Sequence, residues 1–377
     1  MGTAGGYRKP ERISPIPHRK PLSRGCRGMR STEASADTGS GGQDPGLQGV
    51  GTGEPQGHIQ EQKHTGAYMK ARLNNCTTAQ ITAKIKDLHE ERGESTEGRV
   101  FTMLIHTSEE SLENALAAAN VASREHPCRI IAIATCSGKG SDPDTPLNAE
   151  IRFGADAGAG EIIVLFPTGG LLRHLDTLVI PLLVPDAPVL AWWPEEVPGN
   201  PSEDQIGRMA RKRITDAQQT EDPERTFENL RAHWTKNDTD LSWTRLTIWR
   251  GQLAALIDQP PHTTIQSVTV RGARHYLPLE LLAAWLAWSL KVPVTVDRQD
   301  DAASVTSVEI TRENGVASIQ RTGIDELQVQ EPGRNPQKIS VPHRTLTDSI
   351  NEEMRRLDPD AIYAAVIRDG WDLVPHE

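Results

Sequence analysis

Apolar positions are sparse over the first stretch of the chain and become periodic after it. Residues 1–68 hold runs such as GSGGQDPGLQGVGTGEPQG, with Arg, Pro and Lys scattered among them and no apolar period. Such a composition cannot bury enough surface to offset the entropy of ordering, so a disordered tail is expected there. From Thr77 the pattern turns helical. Ile81, Ile85 and Leu88 recur at helical spacing behind a threonine cap, and the helix is expected to end near Gly93. RVFTMLIH then predicts a strand, and TSEESLENALAAANVASR a helix opened by Thr107, with Glu110 completing a capping box. CRIIAIATC, AEIRFG, EIIVLFP and APVLAWWP are further β-prone runs, and GGLLRHLDTLVIPLLV reads as helical at its start.

After the polar PEEVPGNPSED segment a second alternation begins. Helices are expected from Ser202, through SEDQIGRMARKRITDA, from Asp222, and from Asp240 through DTDLSWTRLTIWRGQLAALID. TTIQSVTVRG and VPVTVDR read as strands flanking the helix LPLELLAAWLAWSLK, and ELQVQ as another strand. ITRENGVASI places Asn-Gly between two β-prone runs, the sequence signature of a hairpin. Two helices from Thr345 and Asp358 close the chain. The expected fold class is α/β: two α/β lobes with mixed sheets, residues 69–200 and 201–377, preceded by the tail at 1–68.

Charge narrows the range of partners. The net charge of -10 is unevenly spread: residues 1–68 hold 9 basic and 6 acidic side chains, leaving 32 basic against 45 acidic in the remainder. An acidic body repels phosphate backbones and anionic lipid, so neither nucleic acid nor a membrane surface is expected as a partner. The longest apolar stretches are broken by Pro and Asp or are too short to span a bilayer, and no secretory signal is recognisable, so cytoplasm is the default location. Of the four cysteines, Cys26, Cys76, Cys128 and Cys136, no two form a C-x-x-C pair. Cys128 and Cys136 fall along one expected strand, too far apart to bridge each other, so buried thiols are expected.

Catalytic patterns are missing from the sequence. FGADAGAGEIIV is Gly-rich, but its G-x-x-x-G-x-G spacing is neither a dinucleotide fingerprint nor a P-loop, and CSGKGSDPD lacks the upstream glycine of a P-loop. There is no G-x-S-x-G, no H-E-x-x-H and no Cys and His set at zinc spacing, so neither a metal nor a cofactor is expected. SREHPCR gathers Arg124, Glu125, His126, Cys128 and Arg129 between a helix end and a strand start. On the helix from Asp240, Trp243, Leu246, Trp249, Leu253, Leu256 and Ile257 share one face, which is expected to be core. Arg245 falls at the edge of that face and Arg250 inside its arc. Seven of the eight tryptophans lie between Trp192 and Trp288, which suits either a large internal core or a contact surface.

Six ordered stretches, ASREHPCRIIAI, GADAGAGEIIVL, PLLVPDAPVLAWWP, KRITDA, DTDLSWTRLTIWRGQLAALID and LLAAWLAW, resemble segments of the bacterial glucose-6-phosphate dehydrogenase assembly protein OpcA family. The similarity covers about residues 69–370; the long N-terminal extension departs from it. The resemblance implies a non-catalytic partner that binds glucose-6-phosphate dehydrogenase, promotes its active oligomer and raises flux into the oxidative pentose phosphate route. On that reading Arg124, His126, Arg129, Arg245 and Arg250 contribute to the partner surface, directly or by supporting it. The alternative is a sugar-phosphate or nucleotide sensor that uses the Gly-rich turn and the arginines to hold an anion.

Overall fold

Hydrogen-bonded strands gather into two sheets, seen in a computed structural model that describes residues 58–63, 68–92, 100–136, 147–154 and 161–376. Strands β1 (His58–Lys63), β2 (Tyr68–Cys76), β3 (Phe101–Ser108), β4 (Cys128–Thr135), β5 (Leu147–Gly154), β6 (Ile162–Phe166), β7 (Val189–Trp193), β8 (Lys212–Thr215) and β9 (Asp238–Asp240) form the first sheet. Interspersed along this stretch are helices α1 (Thr78–Arg92), α2 (Leu112–Ala122), α3 (Leu175–Val179) and α4 (Pro223–Ala232). Next come α5 (Leu241–Thr244), α6 (Thr247–Ile257), strand β10 (Ile265–Ala273), α7 (Leu277–Leu290) and strands β11 (Val294–Gln299), β12 (Val305–Arg312), β13 (Gly315–Gly323), β14 (Glu326–Gln330) and β15 (Gln337–Ser340). The chain ends with α8 (Leu346–Arg355), α9 (Ala361–Ala365) and short irregular turns.

The first sheet runs β1-β2-β5-β6-β4-β3-β7-β8-β9. Its last six members, from β6 to β9, pair in parallel, whereas β1, β2 and β5 pair antiparallel. Taken in chain order, the parallel strands lie third, second, first, fourth, fifth, sixth, which is the order of a doubly wound dinucleotide-binding sheet. The winding reverses between β3 and β7. These strands read as continuous apolar runs because both faces are covered: Leu104, Ile131, Ile163 and Trp193 pack on one side, and Met103, Ile105, Ile130, Val164 and Trp192 on the other.

The second sheet runs β11-β10-β12-β13-β14-β15, with only β10 and β11 parallel. Its register sets Val268, Ile310 and Ala317 in one cross-strand row and Val270, Val308 and Ile319 in the next, all buried against α7 and α6. The intervening positions, such as Thr269 with Glu309 and Ser318, face away. The expected Asn314-Gly315 hairpin joins β12 and β13, with Gly315 at φ +130, a conformation that disfavours any residue with a Cβ.

The expectation of an α/β fold with mixed sheets and helices is met. Caps read from the sequence also hold: Thr77 exchanges hydrogen bonds with Gln80, Asp222 accepts from the Arg225 N–H, Asp240 from Ser242, and Thr345 and Asp348 form a full capping box. The Gly-rich turn at 155–160, the CSGKGSDPD loop from residue 137 and residues 1–57 and 64–67 of the expected disordered tail at 1–68 lie outside the described residues, whereas residues 58–63 of that tail are corrected to strand β1, held by its pairing with β2.

Three local expectations are corrected. The helix expected from Thr107 starts only at Leu112, because β3 keeps pairing with β4 through Ser108 and Thr135. The helix expected across SEDQIGRMARKRITDA is a strand where Lys212–Thr215 inserts between β7 and β9. The last helix takes its cap from Asp360 and not from Asp358. Strands β9 and β15 are not among the expected elements, because they carry too few apolar residues to be visible as strands.

The first sheet continues past the expected boundary at 200/201 as far as Asp240. Its core is completed from still farther along the chain: Ile350 and Met354 of α8 pack with Phe101, Ile105, Leu112, Leu116 and Trp192. The tryptophan-bearing face of α5 and α6 is core as expected, with Trp243, Leu246, Trp249, Leu253 and Leu256 buried. Cys76 and Cys128 are both buried, and burial pushes the Cys76 thiol up to about 11.

Candidate functional site

In a sheet of this order, ligands enter the crevice beyond the carboxyl ends of the strands where the winding reverses, with an anionic group at the start of the first crossover helix. Here that place lies between the end of β3, the start of α2 and the end of β7. It is occupied by a carboxylate from the chain itself. One oxygen of Glu195, just past β7, accepts from the Ser108 hydroxyl at 2.5 Å, the Ser108 N–H at 3.3 Å and the Thr107 hydroxyl at 3.4 Å. The other oxygen accepts from the hydroxyl of Ser111, the cap residue of α2, at 2.6 Å. The turn from strand to helix, Ser108-Glu109-Glu110-Ser111, contains no glycine and adds two further acidic residues. A phosphate brought here would meet a fixed negative charge instead of free donors.

Burial opposes ionisation of Glu195, but the Ser108 and Ser111 hydroxyls and the Ser108 N–H outweigh it and hold the carboxyl below its usual range. An acid depressed in the folded state lends stability above its unfolded pKa and loses it as pH falls through the folded one. Glu195→Gln is therefore expected to shrink the drop in stability of the wild type below about pH 4.5, the ordinary value for this group. Urea titrations of both proteins between neutral and acid pH check this, and parallel curves refute it.

The five sequence-nominated residues occupy two places. Arg124 and His126 follow α2 on the surface side: Arg124 is exposed, and His126 is half-buried with its Nε2 lacking a hydrogen-bond partner. Between them Glu125 reaches Arg355 of α8 at 3.5 Å. Arg129, the second residue of β4, turns inward instead. Its Nε pairs with the fully buried Glu161, which His89 also contacts, and its Nη1 donates to the Leu182 carbonyl at 2.6 Å.

Arg245 sits at the break between α5 and α6 and makes a two-pronged pair with Asp216, both contacts at 2.7 Å. Arg250 stacks over Trp243, its guanidinium carbon 3.7 Å from the ring centroid, and Trp243 in turn donates to Asp360 at 2.8 Å. Burial lowers the Arg250 pKa against the pull of Asp360, Glu352 and Glu353. Of the second cluster, then, both arginines are committed to internal contacts.

Helix α8, which sequence reasoning did not nominate, touches both places. Its Arg355 meets Glu125, and its Glu353 accepts from the Thr244 hydroxyl at 2.5 Å and pairs with the buried Lys212 ammonium at 2.7 Å. Its Glu352 accepts from Thr247 at 2.9 Å. Sequence carried one usable signal, the Thr345 to Asp348 capping box that starts α8, but none for its docking position.

Two family models match this chain in succession. Residues 119–232 match the glucose-6-phosphate dehydrogenase subunit N-terminal domain, and residues 236–367 the corresponding C-terminal domain. The chain belongs to the OpcA family. The matched ranges take in β4 to α9, and so include the switch-point carboxylate, the paired arginines and α8. No curated protein matches at a significant level. Among solved structures, an oxidoreductase from Sinorhizobium meliloti is 10% identical, with a TM-score of 0.38, 72% of this chain and 94% of that chain covered. A myo-inositol dehydrogenase from Lactobacillus casei is 11% identical, with a TM-score of 0.34, 72% of this chain and 93% of that chain covered. Likeness at this level assigns no function. Among the described residues of this family member, no helix is long and apolar enough to cross a membrane, and no three His, Cys, Asp or Glu side chains gather as a metal set.

Proposed function

We propose that this chain is a non-catalytic partner of glucose-6-phosphate dehydrogenase, which binds that enzyme in the cytoplasm, favours its active oligomer and supports the oxidative pentose phosphate route. The observation that carries the reading is the pair of family models, both described as parts of a glucose-6-phosphate dehydrogenase subunit, which together span 119–367 with a gap of a few residues. The Glu195 contacts support the non-catalytic part, because they fill with a carboxylate the crevice where a sheet of this order would take a dinucleotide phosphate. The same contacts weigh against a nucleotide or sugar-phosphate sensor working through that crevice.

Such a partner acts by binding one quaternary state of the enzyme more tightly than another, and a tenfold shift needs only about 1.4 kcal/mol of differential affinity. Arg124, exposed beside the end of α2, is proposed to touch the enzyme directly, together with His126. Arg129, Arg245 and Arg250 are proposed to support the surface from beneath by fixing β4, α5 and α6. Purified glucose-6-phosphate dehydrogenase should show higher activity and a larger oligomer when this chain is added, while the chain alone turns over no substrate. Arg124→Glu should weaken co-purification at least about tenfold, the size expected for an arginine at a contact centre, with thermal stability unchanged. Turnover by the chain alone, or an enzyme whose kinetics and assembly ignore it, overturns the proposal.

A further inference from the structure

Among the described residues, the buried Lys212 and Arg213 and the part-buried Arg245 pair with Glu353, Asp238 and Asp216. Arg312 has no such carboxylate partner and, unlike the part-buried Arg250, no aromatic face to stack on. It closes β12 at 7% exposure, its Nη2 donates to the Leu256 carbonyl at 3.0 Å, and its Nε has no hydrogen-bond partner. The Leu256 carbonyl belongs to the last turn of α6, where the helix end supplies about half a negative charge, so part of the guanidinium charge remains uncompensated.

Arg312 lines a cavity of about 30 Å³ together with Gln259, Asn314, Glu331 and Arg334, enclosed by the end of α6, the β12–β13 turn and the segment after β14. Its one carboxylate, Glu331, is already held by Arg334 at 2.9 and 3.0 Å, a pair with no net charge. Asn314 accepts from the Thr263 hydroxyl through its Oδ1 at 2.8 Å, which leaves its amide N–H groups to donate elsewhere. The cavity therefore combines a buried cation that lacks a carboxylate partner with neutral donors, and has room for at least one water-sized particle. We infer that it is a single-ion site for a small monovalent anion of halide size.

Thermal unfolding of the full chain in sodium chloride, with sodium gluconate making up constant ionic strength, tests the site. Ligand binding to the folded state alone raises Tm with concentration. The expected result is a saturating rise in Tm with chloride that Arg312→Gln abolishes, and a bromide anomalous peak beside the Arg312 guanidinium in crystals grown with sodium bromide. Equal Tm in chloride and gluconate, an unchanged chloride response in Arg312→Gln, or no bromide in the cavity overturns the assignment. Should Arg312→Gln fail to fold, the bromide measurement on the wild type decides alone.

Discussion

Arg245→Ala is expected to cost about 3–5 kcal/mol of folding stability, the range found when one member of a buried ion pair is removed. The Asp216 side chain is 1% exposed, so the carboxylate stranded by the substitution cannot recover its partner from water. Urea unfolding of the variant measures the loss, and a loss below about 1 kcal/mol, the ordinary worth of an exposed pair, would show that Arg245 is not the internal support described above. Asp216→Asn added to Arg245→Ala is expected to recover part of the loss, because it replaces a stranded charge with a neutral amide.

The same carboxyl gives a pH signature. Burial pushes Asp216 up to about 6 from 3.8, with Arg245 pulling the other way. Between those values the folded chain keeps a proton that the unfolded chain has released. This group therefore makes stability fall as pH rises across that window, and adds no slope above it. Asp216→Asn should remove that component from the stability curve between about pH 4 and pH 6. An identical curve in wild type and variant excludes it.

The second large effect is expected at α8. Glu353→Ala leaves the Lys212 ammonium, 5% exposed, without its carboxylate and takes an acceptor from Thr244. A loss of about 3–5 kcal/mol follows from the same reasoning. Deleting residues 346–377 goes further, since Ile350 and Met354 leave the core around Phe101, Leu112 and Trp192. The shortened chain should lose cooperative unfolding of the first sheet, although every strand of that sheet remains. Amide exchange on β3 and β4 reads this directly: protection retained at the wild-type level in the deletion variant would show that the sheet stands without α8.

These two cases separate what was legible from what was not. The run from Asp240 to Ile257 could be read completely at the level of its face: Trp243, Trp249 and Leu253 repeat at helical spacing, and the buried side of α5 and α6 carries them. What Arg245 does on that helix could not be read, because its partner Asp216 lies 29 positions away on a different element. Lys212 and Arg213 illustrate the converse. In sequence they mark KRIT as polar and helical, yet in the sheet both are buried in β8, their charges answered by Glu353 and Asp238.

Glu195 follows the same logic. Alone it is an acidic residue in a proline-rich loop; its meaning comes from Ser108 and Ser111, brought to it by the pairing of β3 with β7. Sequence by itself determined the local elements, their caps and their apolar faces, since spacing, capping hydroxyls and Asn-Gly turns act over a few residues. Tertiary structure alone decided the strand order, the filled crevice and the docking of α8. Each depends on charges and hydrogen bonds between positions as far apart as Thr244 and Glu353, separated by 109 residues, and no local period encodes such a meeting.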